Sequence, residues 1–312
     1  MNLLIVDIYA ENIKKAMVPL FPQITIHAAS TEAEVGDFIE KAEVLMARRI
    51  SDGLLQKAKK LKWIQSLIAG VDPILKLPSL RKGILLTSTR GVHGPQMSEI
   101  AFLFMIALSR NLALNFQNQK RKVWERWPGK LLDHKNVGIL GVGVIGKELA
   151  RKCKAFNMTV YGIMRTKREI PYVDHTYGPD GLLEVMRKAD YFINIAPSTP
   201  ETHKMVSAEA LAVMKQTAFF INIGRGDTVD EQALIALLKA KKIAGAGLDT
   251  FNIEPLPAES PLWEMENVII TPHVGGLSEM FVQQGLPIFK ENLTRYLNGE
   301  RQDLINFIEW QK

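Results

Sequence analysis

Three glycines on one turn, in VGILGVGVIGKELA at residues 137–150, set the narrowest limits on how this chain folds. Gly141, Gly143 and Gly146 follow an apolar strand pattern and open a helical pattern that starts at Val144. In this spacing the first glycine makes the tight turn, the second admits a pyrophosphate to the backbone, and the third lets the helix pack on the strand. A strand-turn-helix that binds nothing is the alternative. The context predicts a dinucleotide-binding turn of the Rossmann type.

Length and composition allow two globular domains in one chain. The 312 residues are 47% hydrophobic and 23% charged, and a chain of this length supports two separate cores. The longest apolar stretch, residues 100–108, is too short to cross a bilayer and predicts a buried helix. The N-terminal strand pattern lacks the basic and long apolar regions of a secretory signal.

Cysteine content indicates the compartment. Cys153 is the single cysteine, so no intrachain disulfide is possible. It fits a reducing cytoplasm and is interpreted as a helix residue rather than a nucleophile. We expect a cytoplasmic protein that crosses no membrane.

The net charge of +6 does not by itself indicate a nucleic-acid partner. Lys and Arg concentrate at residues 120–122, 126–135 and 165–168, and solvated helix faces explain the first two groups. The sequence has no basic stripe interleaved with aromatics and no zinc-finger spacing. We expect no nucleic-acid partner and no metal site, because an anionic small molecule needs far less positive surface.

Short apolar strand patterns alternate with helical patterns in two series. The first occupies residues 2–89 and the second begins at residue 137. Such alternation is typical of parallel sheets with crossover helices, so two sheets are expected. The predicted strands are 3–7, 24–28, 44–48, 63–67 and 84–89 in the first series, and 137–140, 159–163, 191–196, 218–223, 245–249 and 268–272 in the second.

Two helical patterns connect these series. An apolar stretch at residues 95–119 is expected to lead into the second domain. Residues 281–298 are expected to return the chain to the first domain and to end at Asn298-Gly299 as a C-cap.

These patterns predict an α/β protein with two doubly wound parallel-sheet domains. We expect a substrate domain of residues 1–97 plus 285–312 and a dinucleotide-binding Rossmann domain of residues 98–284. No low-complexity linker separates them, which favours a ligand cleft between closely hinged domains.

Three polar segments follow predicted strands of the second series. They are INIGRG at 221–226, DTFNIEPLP at 249–257 and TPHVGG at 271–276. Ligands bind outside the carboxyl ends of the strands in open α/β sheets, so Arg225, Glu254 and His273 are expected to converge there. An arginine can bind a substrate carboxylate and polarise a ketone, a histidine can protonate the developing alkoxide, and a carboxylate can orient the imidazole and favour its protonated form. Hydride transfer to a 2-keto acid needs these three groups.

Considered one at a time, each of these residues also has a purely structural explanation. Arg225 fits a surface ion pair, Glu254 an exposed loop acid and His273 a hydrogen-bonded histidine at a strand end. Their joint placement beside the dinucleotide turn favours catalysis. His93, in RGVHGPQMSE, is a second candidate acid, but its expected position at the hinge explains it structurally, and His273 has the better supporting carboxylate.

The order of the motifs resembles the D-isomer-specific 2-hydroxyacid dehydrogenase family over nearly the whole chain. GVGVIG is similar to the family's cofactor fingerprint, and INIGRG, DTFNIEPLP with SPLW, and TPHVGG are similar to its catalytic arginine, glutamate and histidine blocks. FLFMIALSRNL and ENLTRYLNGE resemble its linking and terminal helices. The resemblance implies a flavodoxin-like substrate domain beside the Rossmann domain, with Arg225, Glu254 and His273 as the catalytic trio.

The resemblance also implies further contact residues. LIAGVD at 67–72 is similar to the family's substrate loop, whose backbone N–H groups, here those of Ala69, Gly70 and Val71, receive the substrate carboxylate; the alternative is an ordinary turn. Asp249 is implied to help hold the nicotinamide carboxamide. The expected cofactor-binding residues are Gly141, Gly143, Val144, Ile145, Gly146, Met164, Arg165, Thr166, Ala196, Pro197, Ile223, Asp249 and Gly275.

Two departures accompany the resemblance. Formate dehydrogenases of the same superfamily carry a glutamine where this chain has Glu254, which disfavours formate as the substrate. The C-terminal LINFIEWQK, residues 304–312, is unlike the usual family ending, which leaves the role of this segment open.

The end of the second Rossmann strand favours NADP(H) over NAD(H). An NAD-specific fingerprint has an acidic residue there, about 20 residues after the glycines, to bind the ribose 2′-OH. This chain has Met164, followed by Arg165 and Thr166. A carboxylate would repel a 2′-phosphate, whereas the arginine and the hydroxyl can bind one. The alternative is that these residues form a basic surface loop with no role in cofactor choice, which predicts comparable use of NADP(H) and NAD(H).

Substrate and assembly follow from the same resemblance. Members with this arginine-for-acid pattern resemble glyoxylate/hydroxypyruvate reductases or broader 2-ketoacid reductases, so glyoxylate and hydroxypyruvate are the expected substrates. Trp124 and Trp127 lie where such dehydrogenases form a dimer arm, which predicts a homodimer through the cofactor domains. These aromatics either bury the interface or reach the neighbour's active site.

Two other functions fit the motifs. One is a non-enzymatic dinucleotide sensor similar to a transcriptional corepressor of this fold; the basic charge favours it, and the lack of a disordered interaction tail counts against it. The other is a Rossmann-type reductase that uses a different acid. Turnover of NADPH with 2-keto acids, repeated after replacement of His273 and Arg225, separates these functions.

Overall fold

The computed structural model describes residues 1–310 and divides the chain into two compact units. The first unit contains Met1–Val92 and the chain from Ser278 onward, and the second is His93–Leu277. The sequence predicted the domain boundaries at 97/98 and 284/285. Each lies a few residues after the start of a helix, Gly94–Ser109 or Phe281–Leu297, whereas the boundaries between the compact units lie just before these helices.

The first unit contains a five-stranded parallel sheet in the order β2-β1-β3-β4-β5, the flavodoxin-like arrangement. Its strands are near-continuous apolar runs because helices cover both faces of the sheet. Leu3, Leu4 and Ile5, for example, are fully buried. The strands are β1 (Asn2–Val6), β2 (Thr25–Ala29), β3 (Val44–Ala47), β4 (Trp63–Ser66) and β5 (Leu85–Thr87).

Two apolar layers enclose this sheet. One layer includes side chains of the terminal helix, among them Phe281, Phe289 and Leu293. This helix ends as the sequence predicted, with Asn298 as the C-cap and Gly299 at φ +86°. The helices of the first unit are α1 (Ala10–Met17), α2 (Phe38–Lys41), α3 (Asp52–Lys57), α4 (Asp72–Leu75) and α11 (Phe281–Leu297).

The second unit contains a seven-stranded parallel sheet in the order β12-β11-β10-β9-β6-β7-β8. The order reverses between β6 and β9, the switch point of a Rossmann fold. Sequence reasoning missed β8, a short edge strand of sequence HTY with no apolar run. The strands are β6 (Asn136–Leu140), β7 (Thr159–Ile163), β8 (His175–Tyr177), β9 (Tyr191–Asn194), β10 (Phe219–Asn222), β11 (Gly245–Leu248) and β12 (Val268–Ile270).

The stretch predicted as helical at residues 95–119 forms two helices, which are bent by 60° at a short break. Asn111 adopts a left-handed φ of 51°, which ends one helix and starts the next. The helices of the second unit are α5 (Gly94–Ser109), α6 (Leu112–Arg121), α7 (Val144–Ala155), α8 (Leu182–Lys188), α9 (Ala208–Ala212) and α10 (Glu231–Lys239).

Within residues 1–310, no single helix has the length and apolar composition needed to cross a membrane. The bent pair α5 and α6 reaches that length only when the two are joined. Most of α5 is buried inside the second unit.

Candidate active site

The glycine turn joins β6 to α7, and each glycine has its own reason to be there. Gly141 has φ +102°, a conformation that other residues rarely adopt. At Gly146 an added Cβ would lie 2.6 Å from the Gly141 carbonyl oxygen, so close packing of helix on strand requires glycine. At Gly143 an added Cβ would meet no described atom within 4 Å. Packing within the protein therefore does not account for Gly143, and its role in admitting a ligand to the backbone stays a prediction.

The helix after this turn presents amide groups to the same region. Val144 and Ile145 lie in the first turn of α7, where N–H groups have no acceptor within the helix. The first intrahelical bond runs from Lys147 N to the Gly143 carbonyl. Such a helix terminus favours an anionic group such as a pyrophosphate.

The loop after β9 packs directly against the glycine turn. A Cβ added at Gly141 would lie 3.1 Å from the Ala196 amide nitrogen, and one added at Gly224 would lie 2.8 Å from the Ala196 carbonyl oxygen. Ala196, with Pro197 after it, therefore lies at the switch point between β6 and β9, beside the loop that follows β10.

Three buried polar side chains fasten these loops together, and sequence reasoning missed them. Asn194 and Asn222 occupy paired positions at the ends of β9 and β10. Asn194 Nδ2 donates to Asn222 Oδ1 (3.0 Å) and to Thr228 Oγ1 (2.7 Å). The repeated strand endings INIA and INIG are the signal that could have found them.

The same network fixes the backbone of both loops. Asn194 Oδ1 accepts from the Ala196 amide (3.1 Å), and Asn222 Oδ1 accepts from the Gly224 amide (3.2 Å). The Arg225 carbonyl accepts from Asn222 Nδ2 (3.3 Å) and from the Thr228 hydroxyl (2.6 Å). One set of hydrogen bonds thus positions a predicted cofactor residue and the predicted arginine.

Arg225 immediately precedes a short 3-10 turn, Gly226–Thr228. Its Nη1 donates to the Gly224 carbonyl (2.8 Å), and the side chain is partly exposed. At Gly226 an added Cβ would lie 2.0 Å from the carbonyl carbon of Phe251. Glycine here lets the arginine loop pack on the backbone of the loop that carries Glu254.

His273 and Glu254 form a direct pair. His273 Nδ1 lies 2.7 Å from Glu254 Oε2, and Glu254 Oε1 accepts from the Phe251 amide (3.1 Å). The side chains are 35% and 27% exposed, so the pair is accessible from solvent. When Nδ1 carries its proton toward the carboxylate, Nε2 is the nitrogen that can exchange a proton with a ligand.

Asp249 holds the loop on which His273 lies. Its carboxylate is buried and accepts from the Thr271 hydroxyl (2.6 Å), the Val274 amide (2.9 Å) and the Gly275 amide (3.0 Å). These contacts lie on both sides of His273, whose own φ is 54°. A carboxylate offers about four acceptor positions, and three hydrogen bonds are accepted here. A further contact, with a nicotinamide carboxamide, stays a prediction.

At the end of β7, Met164 and Arg165 differ in environment. Met164 is 7% exposed and belongs to the core, and its amide donates to the Tyr177 carbonyl (3.1 Å). Arg165 and Thr166 are exposed. A hydrogen bond from Thr199 and, to a smaller extent, the charge of Arg165 lower the pKa of the Glu201 carboxyl.

The predicted substrate loop lies in the first unit, between β4 and α4. Ala69 and Gly70 are partly buried, and Val71 is the buried N-cap of α4. The loop begins with a local contact in which the Ser66 hydroxyl donates to the Ile68 carbonyl (3.2 Å). Its role toward a carboxylate stays a prediction.

Two other predicted or considered residues, His93 and Ile223, are buried. His93 is buried at the start of α5. Ile223 is buried, and its amide donates to the Asn194 carbonyl (3.1 Å). Within residues 1–310, no three His, Cys, Asp or Glu side chains are grouped as metal ligands.

Cys153 is fully buried on α7, and burial raises the pKa of its thiol to about 12. A thiolate is the reactive form of cysteine. The environment therefore makes this residue unreactive in the folded protein.

Cys153 is expected to resist Ellman's reagent in the native protein. With a pKa of about 12, roughly one thiol in 10⁴ is ionised at about pH 8. Unfolding in guanidinium should release one reactive thiol per chain, while a variant with an exposed cysteine in the first unit, Lys60→Cys, should react with one thiol at once. Rapid native labelling of Cys153 would contradict this assignment.

Comparison with known proteins identifies the family. The family model described as D-isomer specific 2-hydroxyacid dehydrogenase, NAD binding domain, matches residues 102–275. These residues include the Rossmann sheet, the glycine turn and the His273–Glu254 pair. The chain belongs to the D-isomer-specific 2-hydroxyacid dehydrogenase family.

Relatives of known name support the same family. A D-3-phosphoglycerate dehydrogenase from Methanocaldococcus jannaschii is 31% identical over 89% of this chain, which spans only 54% of that protein's length. A glyoxylate/hydroxypyruvate reductase B from Escherichia fergusonii is 33% identical over 89% of this chain and 88% of its own.

Solved structures agree in fold. A family protein from Aeromonas salmonicida superposes with a TM-score of 0.90 at 34% identity and 99% coverage of both chains. An NADPH-dependent glyoxylate/hydroxypyruvate reductase from Sinorhizobium meliloti, in complex with NADP and sulfate, gives a TM-score of 0.84 at 27% identity and 99% coverage of both chains.

Proposed function

We propose that this chain reduces a small 2-keto acid, such as glyoxylate or hydroxypyruvate, to the 2-hydroxy acid with NADP(H), giving the D isomer where the product is chiral. The 2.7 Å pair of His273 and Glu254 carries this proposal, because it couples an exchangeable proton to an orienting carboxylate at the edge of a dinucleotide-binding sheet. The relative named glyoxylate/hydroxypyruvate reductase B supports the substrate class.

The residues around the glycine turn fit a bound dinucleotide. The left-handed Gly141 and the open space at Gly143 leave room for a pyrophosphate beside the first turn of α7. Ala196, Pro197, Ile223 and Gly275 would contribute to holding it, with the carboxamide at Asp249. NADPH, when bound, supplies the hydride for reduction of the keto carbon.

The protein side chains would control the substrate and the proton. The Arg225 guanidinium binds the carboxylate and polarises the ketone, and the N–H groups of Ala69, Gly70 and Val71 bind the carboxylate. His273 Nε2 donates a proton to the keto oxygen as negative charge develops on it. Glu254 holds Nδ1 and stabilises the imidazolium before the proton is given up. In the oxidative direction the same imidazole accepts the proton.

Replacement of His273 or of Arg225 should strongly lower turnover of the keto acid. We expect His273→Ala to lower kcat by about 10²- to 10⁴-fold, and Arg225→Ala to lower kcat/KM by roughly 10- to 100-fold through loss of a charged hydrogen bond. NADPH absorbance with a panel of 2-keto acids measures both. The exposed controls His203→Ala and Arg187→Ala should retain activity.

Two results would redirect the assignment. Full activity of His273→Ala would refute it as the proton donor and support a reductase that uses another acid. Tight NADPH binding without turnover of any 2-keto acid would favour the non-enzymatic dinucleotide sensor.

NADP(H) is the proposed cofactor because Arg165 and Thr166 are exposed at the end of β7, where an NAD-specific protein carries an acid. Their guanidinium and hydroxyl groups suit a 2′-phosphate. The Sinorhizobium meliloti structure holds NADP, which is consistent with this preference.

Replacing Met164 by Asp together with Arg165→Ser should lower the NADPH-to-NADH ratio of kcat/KM by about tenfold or more, since a charge-assisted bond is lost. Because Met164 is buried, Arg165→Ser alone serves as a second variant that leaves the core intact. Steady-state kinetics with both cofactors measure the ratio. A double variant Lys167→Ser/Arg168→Ser is the control; an equal shift there would indicate a merely basic loop.

We also propose a homodimer formed through the second unit. Apolar side chains are exposed on α5, α6 and the segment that follows, and Trp124 is 93% exposed. Large apolar side chains exposed in this number are typical of a protein interface. The exposed apolar residues are Leu103, Ile106, Phe116, Val123 and Trp124.

Removing two of these apolar side chains should weaken the dimer. We expect Phe116→Ser/Trp124→Ser to shift the sedimentation coefficient toward the monomer at micromolar concentration. The matched control Val18→Ser/Leu20→Ser removes exposed apolar residues from the first unit and should leave assembly unchanged. A monomeric parent protein, or an unaffected dimer in the first variant, would contradict this interface.

A further inference from the structure

The C-terminal segment, residues 304–310, covers one edge of the sheet in the first unit. Phe307 forms an antiparallel bridge with Thr87 of β5, and the Ile308 amide donates to the Leu86 carbonyl (2.9 Å). Ile308 and Trp310 pack on the core of this unit. The segment therefore pairs with the edge strand β5, which would otherwise expose unpaired backbone groups.

Asn306 makes the central contacts of this segment. It has a left-handed φ of 59°, and its Nδ2 donates to the carbonyls of Ser88 (3.1 Å) and Arg90 (2.7 Å). The Ser88 amide donates back to the Asn306 carbonyl (3.3 Å). The residues on both sides of Thr89 are thus held by the C-terminal segment.

Thr89 in turn holds the beginning of the predicted substrate loop. Its hydroxyl donates to the Ser66 carbonyl (3.1 Å), and its amide donates to the Ile68 carbonyl (3.3 Å). Ala69 and Gly70 follow directly. A displacement of Thr89 would therefore move the residues that lead into the loop.

A second set of hydrogen bonds connects the same two segments. Asn292 Oδ1 accepts from the Ile305 amide (2.6 Å), and Asn292 Nδ2 donates to Gln65 Oε1 (2.9 Å). Gln65 Nε2 donates to the Ser66 carbonyl (3.0 Å). Both amide side chains are fully buried, so their bonds are costly to break.

We propose that the C-terminal segment is a positioning element for the substrate loop, residues 67–72, and that Asn306 is its main positioning residue. This inference rests on the proposed function of the loop in binding a keto-acid carboxylate. Backbone N–H groups bind a carboxylate well only when the loop is already ordered, because ordering it on binding costs conformational entropy. Loosening the segment should therefore weaken keto-acid binding and leave NADPH binding intact.

Two variants of Asn306 test the proposal. Asn306→Gly keeps a residue that tolerates left-handed φ but removes both donated bonds, and Asn306→Asp keeps the size but turns a donor into an acceptor facing two carbonyls. The control Asn157→Gly changes another left-handed asparagine, one that donates to Asp133 (2.9 Å) in the second unit.

We expect either Asn306 variant to raise the KM for the keto acid about tenfold, the effect of losing two hydrogen bonds. The kcat and the Kd for NADPH, measured by fluorescence titration, should change little. Asn157→Gly should leave KM and Kd unchanged. A purely structural role of Asn306 would lower the melting temperature and leave KM unchanged, which would overturn the proposal.

Amide hydrogen exchange provides a readout that needs no turnover. Exchange in residues 66–72 should accelerate in both Asn306 variants and stay unchanged in Asn157→Gly. Unchanged exchange there would overturn the positioning role. Faster exchange in the Asn306 variants, combined with no reduction of any keto acid by the parent protein, would support the positioning role while refuting the proposed function. The two failures are therefore distinguishable.

Discussion

The buried amide pair of Asn194 and Asn222 is the interaction on which the candidate site depends. It joins the carboxyl ends of β9 and β10, where each strand changes into a loop. Buried amides must satisfy their hydrogen bonds, and the available partners are the backbone groups of these loops together with Thr228. Because the network holds both the Ala196 amide and the Arg225 carbonyl, the cofactor-side loop and the arginine loop share one rigid support.

Close backbone packing is the second constraint. Gly226 lies so near Phe251 that any side chain would collide with its carbonyl group, and a Cβ at Gly247 would lie 2.4 Å from the ring of Phe104 on α5. These glycines contribute to the site without contacting a ligand, because they let neighbouring loops and helices approach. Packing thus explains Gly226 in the arginine motif, whereas it does not explain Gly143 in the glycine turn, where an added Cβ would meet open space.

The first unit uses the same physics in a different arrangement. Trp63 Nε1 donates to Thr87 Oγ1 (2.8 Å), and the Thr87 hydroxyl donates to Gln65 Oε1 (2.8 Å), which also accepts from Asn292. A row of satisfied polar groups therefore crosses an otherwise apolar core and links two strands to the terminal helix. In both units a loop follows the carboxyl end of a buried apolar strand. Hydrogen bonds between buried side chains then fix the position of that loop.

The sequence alone determined the two parallel-sheet units, the Rossmann turn and the Arg225, Glu254 and His273 candidates, because hydrophobic periodicity and glycine spacing are local properties. Tertiary structure decided the rest. The edge strand β8 lacks an apolar run and forms only by pairing with β7. The break between α5 and α6 depends on the left-handed φ of Asn111. The partners of the buried asparagines and of the C-terminal segment depend on strand order. That order places β9 beside β6 although many residues separate them, so no local pattern reveals which polar groups meet.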